Sequence, residues 1–270
     1  MSAPVPSTPA PGGTGHPDPL VALGPSFGPF FAIDRHPTGA APAGGWRALA
    51  ELTRPGPVLD SRVRRVREAL ATRGRRPPEQ IELRVAVSVA HLGLVARLIA
   101  PAVGAAALGT ALPLAAAGLC RKDELGGPYP LSVARPGSVP RPAALGRYDP
   151  DALRLPGSAV EAITHACLAA YSVSPRVLWG NVASAAASAA GLVATTRPDL
   201  ATAARAAADA LMADDRVDGG GLRAGPGFRR RSCCLIYRLT GSTEAVCGDC
   251  VLAAPAGRFS FDRPARLAVE

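Results

Sequence analysis

The chain has 270 residues and a formal net charge of +9, and only 4% of its residues are aromatic. This length suffices for one large domain or two small ones, and six cysteines are too few for a disulfide-stapled scaffold. The scarce aromatic residues do not alternate with the basic ones as in proteins that bind single strands, so we expect no nucleic-acid partner. The positive charge favours anionic ligands, although most of it is expected to form a solvated basic face.

The N-terminal residues lack the features of a targeting signal. The first 34 residues contain no Lys or Arg, and residues 1–19 are rich in Pro, Gly and Ser. We therefore predict a disordered tail over 1–19 and no secretory signal. The protein is expected in the cytoplasm, where thiols stay reduced, and this location argues against disulfide bonds.

Apolar residues recur with helical spacing through most of the remaining chain. The predicted helices are 46–52, 59–72, 79–100, 158–171, 177–195 and 200–213. Residues 98–119 carry no charge, but Ala and Gly dominate this stretch and Pro101 and Pro113 interrupt it. We therefore predict two packed helical pieces here rather than a membrane span, with membrane contact at most peripheral.

After Cys120 the helical periodicity ends and Gly and Pro residues typical of turns become frequent. They predict an irregular or β insertion near 120–158, with a short strand at 129–134 and another at 258–261. The sequence thus predicts a predominantly α-helical α+β fold. Its parts are the tail over 1–19, a mainly helical domain over 20–227, and a C-terminal segment over 228–270 that carries four of the six cysteines.

These four cysteines have the pattern C-C-x12-C-x2-C and are Cys233, Cys234, Cys247 and Cys250. The C-x2-C half is a chelating spacing, and the Gly-Asp pair inside it suits the turn that directs both sulfurs to one metal. Adjacent cysteine side chains diverge, which is awkward for a single tetrahedral zinc ion but suits a cluster that divides its thiolates between two irons. The spacing favours an iron–sulfur cluster and leaves open a structural zinc site or unligated, redox-active thiols.

The residues around the cysteines resemble a known family. Residues 230–238 read RRSCCLIYR and residues 247–250 read CGDC. This combination is similar to the C-terminal [2Fe–2S] motif of the FhuF-like ferric-siderophore reductases, in which the gap between the two cysteine pairs is commonly shorter by about two residues. Residues 84–101 and 177–185 are also similar to that family.

The resemblance implies that 228–270 is an iron–sulfur-binding segment with a [2Fe–2S] cluster on the four cysteines. It implies a one-electron reduction of a ferric siderophore, which releases iron(II) for iron assimilation. A protein such as a ferredoxin or a flavoprotein would supply the electron, because no nicotinamide-binding fingerprint is evident. The alternatives are an iron–sulfur electron carrier without a small-molecule substrate and a structural zinc-binding protein.

Basic residues flank the cysteine motif. One interpretation is that their positive charge favours the reduced state of a nearby cluster and attracts an anionic ferric complex. The other is that they only keep a surface loop solvated. The candidate substrate-binding residues are Arg229, Arg230, Arg231, Tyr237 and Arg238. No other catalytic residues are expected, because the four histidines do not form a Ser-His-Asp arrangement.

Two polar stripes lie on otherwise apolar predicted helices. The first stripe consists of Arg84, Ser88 and His91, which follow one another at intervals of about one helical turn. The second stripe begins at Asn181. These stripes line a polar pocket or pair with each other inside the core, and we expect the pairing. Cys120 and Cys167 are expected to be buried thiols that behave as small hydrophobic residues.

Overall fold

The computed structural model describes residues 18–39, 41–135, 153–239 and 247–252. Its α-helices are α1 (Leu23–Phe27), α2 (Pro57–Arg73), α3 (Leu83–Ala107), α4 (Ala159–Ala170), α5 (Pro175–Thr196) and α6 (Ala201–Met212). Its strands are β1 (Asp34–His36), β2 (Arg47–Ala48), β3 (Leu119–Arg121) and β4 (Leu131–Ala134). Short 3-10 helices lie at Leu49–Leu52, Pro78–Gln80, Ala116–Gly118, Pro198–Leu200, Asp218–Gly220 and Ile236–Leu239. The predominantly helical α+β class is confirmed.

Helix α3 is the centre of the helical part. It packs most extensively on α5, and it also contacts α2, α4 and α6. Both α3 and α5 are long and apolar enough to cross a membrane. However, in the apolar 18-residue stretch of each helix, 78% of α3 and 72% of α5 is buried within the protein. A core helix of a soluble protein meets the same length and composition criterion, so these helices are weak evidence for a membrane span.

Local sequence explains where several helices begin. Pro57 and Pro175 occupy the first turns of α2 and α5, where a missing N–H costs no helical hydrogen bond. Ser158 caps α4, because its Oγ accepts a hydrogen bond from the Glu161 amide at 3.1 Å. The carboxylate of Glu161 accepts a hydrogen bond from the Gly157 amide in return, so both residues hold the start of α4.

The prediction of a helix break at Pro101 was wrong, because α3 continues through this residue to Ala107. A proline inside a helix removes one backbone hydrogen bond and costs about 3 kcal/mol. The residues on both sides of Pro101, including Ile99 and Val103, are completely buried. Burial of such side chains contributes about 2 kcal/mol each, which offsets the cost of the proline.

The four strands form one sheet in the order β1-β4-β3-β2. β1 pairs with β4 in parallel, and the other two pairs are antiparallel. β3 and β4 lie in the predicted insertion, whereas β1 and β2 come from the N-terminal part of the chain. β2 and the 3-10 helix at Leu49–Leu52 replace the predicted helix over 46–52, because Arg47 and Ala48 pair with β3. Residues 136–152 of the insertion, and the predicted strand at 258–261, lie outside the described residues.

Arginines join α2 to the chain that follows β3. Arg62 and Arg65 contact the carboxylate of Asp123 at 2.9 and 2.7 Å, and Arg121 lies 3.3 Å from it. Arg62 is buried, so it does not belong to the solvated basic face that was expected to carry most of the positive charge. The predicted tail lies outside the described residues except for its last two positions, where Asp18 pairs with Arg35.

Candidate metal centre

The described part of the cysteine motif lies against α3 and α5. We call residues 230–239 and 247–252 the cysteine segment. The amide of Cys250 donates a hydrogen bond to the carbonyl of Cys247 at 3.0 Å, so the C-x2-C residues form a turn as expected. The amide of Arg230 donates to the carbonyl of Asp249 at 3.1 Å and thereby joins the two halves of the motif. Residues 240–246 of the intervening loop lie outside the described residues.

The four sulfur atoms differ in burial and contacts. Cys234 and Cys250 are buried, whereas Cys233 and Cys247 are half-buried. The Sγ atoms of Cys234 and Cys247 are 3.5 Å apart, one from each half of the motif. Backbone amides of Leu235 and Leu252 donate to the Sγ atoms of Cys233 and Cys250 at 3.2 and 3.4 Å. Amide donors to sulfur stabilise negative charge on a thiolate or a cluster.

The thiols of Cys234 and Cys247, which form the close pair, differ in pKa. The hydrogen bond with Cys247 lowers the pKa of the Cys234 thiol to about 6, against the opposing effect of burial. The same contact raises the pKa of the Cys247 thiol. Burial raises the pKa of Cys233. Since metals bind the thiolate, Cys234 presents the ligating form more readily than Cys233 or Cys247.

The donor set fits a two-iron cluster. Two thiolates on one tetrahedral metal with bonds of about 2.3 Å are separated by about 3.7 Å, close to the distance between Cys234 and Cys247. Within the described ranges, no three or more His, Cys, Asp or Glu side chains converge as ligands of a single ion. A close pair of sulfurs such as that of Cys234 and Cys247 suits a cluster that takes two thiolates on each iron. Within the described residues, the buried Nη1 of Arg230 and Oγ of Ser232 lack hydrogen-bond partners, so each retains a donor hydrogen without a described acceptor.

The arginines of the motif occupy different environments. Arg229 and Arg231 are exposed, and Arg231 lies near Asp218. Arg238 is exposed, pairs with Glu82 at 2.7 Å and stacks on the ring of Tyr237. Arg230 is only 1% exposed. Its predicted contact with a substrate is therefore corrected to a role inside the protein, because almost none of its side chain reaches solvent.

The guanidinium of Arg230 is directed into the helical body. Its Nη2 donates to Oδ1 of Asn181 at 2.8 Å and to the carbonyl of Val177 at 3.3 Å. Its Nε donates to the carbonyl of Ser232 at 2.6 Å. Arg230 thus binds α5 and its own segment at once.

The two polar stripes meet at Ser88, His91 and Asn181, where their expected pairing is confirmed, whereas Arg84 is exposed and pairs with Glu82. Nδ2 of Asn181 donates to the carbonyl and Oγ of Ser88 at 3.0 and 3.2 Å and lies 3.5 Å from Nδ1 of His91. Oγ of Ser88 donates in turn to the carbonyl of Cys234 at 2.8 Å. The stripes therefore fill the core with satisfied polar groups and also hold the cysteine segment. Cys120 and Cys167 are buried thiols, as expected.

Gly180 permits the close approach of the cysteine segment to α5. A Cβ atom at this position would lie 1.9 Å from Oγ of Ser232 and 3.0 Å from Nη2 of Arg230. No larger residue fits without a shift of the segment. Sequence reasoning did not identify Gly180 as a functional position, although a glycine inside a helix is a signal for such close packing.

A groove opens beside the cysteine segment and has a volume of about 570 Å³. It lies between the start of α3, the connection from α4 to α5, and the residue that follows Cys234. Its lining residues are Arg84, Leu168, Tyr171, Ser172, Val173, Ser174, Val177 and Leu235. The mixture of a cation, hydroxyl groups and apolar side chains suits a ligand with polar and apolar parts.

Comparison with known proteins identifies the C-terminal part of the chain. Residues 230–252 match the family described as FhuF 2Fe-2S C-terminal domain. No curated protein and no solved structure matches the chain. The match covers the described cysteine segment and the loop within it. Residues 230–252 are thus similar to a FhuF 2Fe-2S C-terminal domain, the chain is FhuF-like in the part that carries its cysteine motif, and the match supports a [2Fe–2S] cluster as its cofactor.

Proposed function

We propose that this protein is a ferric-siderophore reductase whose cluster is ligated by Cys233, Cys234, Cys247 and Cys250. The observation that carries the proposal is the FhuF 2Fe-2S C-terminal domain, with half-buried Cys233 and Cys247 close to the surface. When bound, a [2Fe–2S] cluster accepts and donates one electron at a time. Iron(III) in the siderophore gains that electron and becomes iron(II), which the same oxygen ligands hold less tightly.

The groove beside Leu235 is the proposed substrate site. Its volume of about 570 Å³ lies within the range of small-molecule pockets, which is roughly 300–1,000 Å³. Arg84 supplies positive charge at the groove, and Ser172 and Ser174 present hydroxyl groups to a ligand rich in oxygen. Because Leu235 follows Cys234 directly, a ferric complex in this groove would lie next to the cysteine segment.

The exposed basic residues of the motif are proposed to attract and orient the ferric complex. These residues are Arg229, Arg231 and Arg238, with Tyr237 beside them. Arg238 is already oriented by Glu82, which is also the partner of Arg84 at the groove. The pair of arginines around one carboxylate leaves a net positive charge at this edge, which favours an anionic substrate.

A protein is the proposed electron donor, and the proposed location is the cytoplasm with membrane contact at most peripheral. Val251 and Leu252 follow Cys250 directly and are 40% and 43% exposed. Exposed apolar residues beside a redox centre suit a transient protein contact. The same observation favours a second candidate function, an electron carrier that serves a protein acceptor and has no small-molecule substrate.

Iron release separates the two functions. The anaerobic holoprotein is chemically reduced, freed of excess reductant and mixed with a ferric trihydroxamate, and iron(II) is trapped with a ferrous chelator. A reductase releases one iron(II) for each reduced cluster, with simultaneous reoxidation of the visible spectrum. Release no faster than in a control without protein would refute the reductase and favour the carrier.

An Arg231→Gln variant tests the substrate surface in the same reaction run at steady state, with reductant supplied continuously and the rate without protein subtracted. We expect a higher KM for an anionic ferric complex and an unchanged KM for a neutral one, because the variant removes one exposed positive charge. Arg154→Gln, which removes an arginine outside the cysteine segment, is the matched control. Equal KM changes for both complexes would contradict the electrostatic role of Arg231.

A further inference from the structure

Arg230 carries a buried positive charge whose side-chain partners are all neutral. Its three described side-chain hydrogen bonds go to the carbonyl oxygens of Val177 and Ser232 and the amide oxygen of Asn181. No ion pair of Arg230 occurs within the described residues. The acidic residue of the motif, Asp249, binds Arg230 only through backbone atoms.

The charge is fixed close to the adjacent cysteines. Arg230 is anchored on α5 three residues before Cys233, and the carbonyl of Cys234 is anchored on α3 through Ser88. Both ends of the stretch from 230 to 234 are therefore attached to the helical body. The close contact at Gly180 removes space in which this stretch could shift.

Arg230 joins the two halves of the cysteine motif. Its backbone amide donates to the carbonyl of Asp249, the residue directly before Cys250, at 3.1 Å, and Cys233 follows three residues later in the chain. Its buried Nη1 has no hydrogen-bond partner within the described residues, so no described acceptor offsets that part of the charge. A buried charge acts through a lower effective dielectric constant than an exposed one and is less screened by salt.

We propose that Arg230 positions the cluster and raises its reduction potential by fixing a permanent, buried positive charge within the segment that holds it. Reduction adds one negative charge to the cluster, so a fixed cation beside it stabilises the reduced state. The role concerns the cluster itself and holds whether the electron goes to a siderophore or to a protein acceptor. Arg231 and Arg229 carry the same formal charge, but they are exposed to solvent and are expected to affect the potential less.

The test is a redox titration of full-length holoprotein, followed by the visible spectrum. Arg230→Gln removes the charge and keeps a polar side chain. We expect the equilibrium between the oxidised and reduced cluster to shift at least tenfold toward the oxidised form, a decrease of about 59 mV for one electron. Arg230→Lys keeps the charge, and its potential should lie closer to the wild-type value than that of Arg230→Gln.

Arg231→Gln is the matched control, because it removes an equal charge one position away on the surface. Its potential should change less than that of Arg230→Gln. The difference between Arg230→Gln and wild type should also persist between about 0.1 M and about 1 M salt, over which the Debye length falls from about 10 to about 3 Å. An unchanged potential in Arg230→Gln, or an equal shift in Arg231→Gln, would overturn the proposal.

A second variant decides the question if Arg230→Gln does not retain its cluster. Asn181→Asp places a carboxylate at the oxygen that now accepts the Nη2 hydrogen bond at 2.8 Å, so it neutralises the charge while Arg230 stays in place. A decreased potential supports the proposal. A wild-type potential in Asn181→Asp refutes it, because neutralising the charge would then have no effect on the cluster.

Discussion

Replacing Gly180 by alanine tests the contact between α5 and the cysteine segment. An alanine in a helix is favoured over glycine by about 1 kcal/mol. At position 180 this gain meets a steric conflict, because the new Cβ would lie 3.3 Å from Cβ of Ser232 and 3.0 Å from Nη2 of Arg230, even if Oγ of Ser232 rotates away. Overpacking of this kind costs about 1–3 kcal/mol, and weakening a hydrogen bond to a charged group costs about 1.5–3 kcal/mol more.

The cost should fall on the cysteine segment, because α5 is held in the core by α3 and α6. After the gain in helix propensity is subtracted, these costs leave a net loss of about 1.5–5 kcal/mol, and its lower end corresponds to a roughly 10-fold weaker attachment of the segment. We therefore expect Gly180→Ala to lose its cluster to an iron chelator at least about 10-fold faster than wild type, with the far-UV circular dichroism unchanged. The loss is measured from the visible absorbance and the iron content.

Gly191→Ala is the matched control in the same helix. A Cβ at Gly191 meets no atom within 4 Å, so only the gain in helix propensity remains. This variant should unfold at a higher temperature and keep its cluster as well as wild type. The steric reasoning would be refuted if Gly180→Ala also retained its cluster and became more stable.

Three further predictions concern the thiols, a buried histidine and a helix cap. Cys247→Ser should abolish the wild-type visible spectrum, whereas Cys167→Ala, which removes a thiol buried in α4, should leave the spectrum unchanged; a wild-type spectrum in Cys247→Ser would remove this residue from the ligand set. Burial lowers the pKa of His91 from 6.5 to about 3, so the unfolded state binds an extra proton between these values and the free energy of unfolding falls as the pH decreases. The contribution of His91 reaches about 1.4 kcal/mol per pH unit. Urea unfolding at several pH values should therefore show that the free energy of unfolding depends less steeply on pH in His91→Gln than in wild type. An equal pH dependence in both proteins would contradict the lowered pKa of His91. Ser158→Ala should destabilise the protein by about 1 kcal/mol, measured by urea unfolding, because it removes the cap of α4. Ser174→Ala should have little effect, since Ser174 precedes α5 without a capping hydrogen bond from its side chain, and equal losses would argue against the cap.

The long helices could be predicted because their apolar periodicity agrees with their burial. The predicted helices over 59–72, 158–171, 177–195 and 200–213 lie within two residues of the bounds of α2, α4, α5 and α6. The secondary-structure predictions were wrong where tertiary contacts override the local preference of the sequence. Burial on both sides of Pro101 keeps α3 continuous, and pairing with β3 turns the predicted helix at 46–52 into a strand and a 3-10 helix.

The cofactor could be predicted more closely than the contacts that hold the cysteine segment. Cysteine spacing favoured a cluster but left zinc and unligated thiols open, and the resemblance of the flanking residues then favoured a [2Fe–2S] cluster. Burial of Arg230 could not be predicted, because a run of three arginines reads as a solvated surface until Asn181 and Val177 are brought beside it. Gly180 was missed for the same reason, since its importance depends on a segment about fifty residues later in the chain.

The attachment of the cysteine segment has a consequence for the biogenesis of the holoprotein. Ser88 and Asn181 lie 93 residues apart in the chain, and they meet only after α3 and α5 have packed. The segment, which follows both helices in the chain, therefore has no surface to dock on until the helical body has folded. Cofactor insertion is expected to be a late event in maturation, and the apoprotein should present a folded helical core to whatever delivers iron and sulfide.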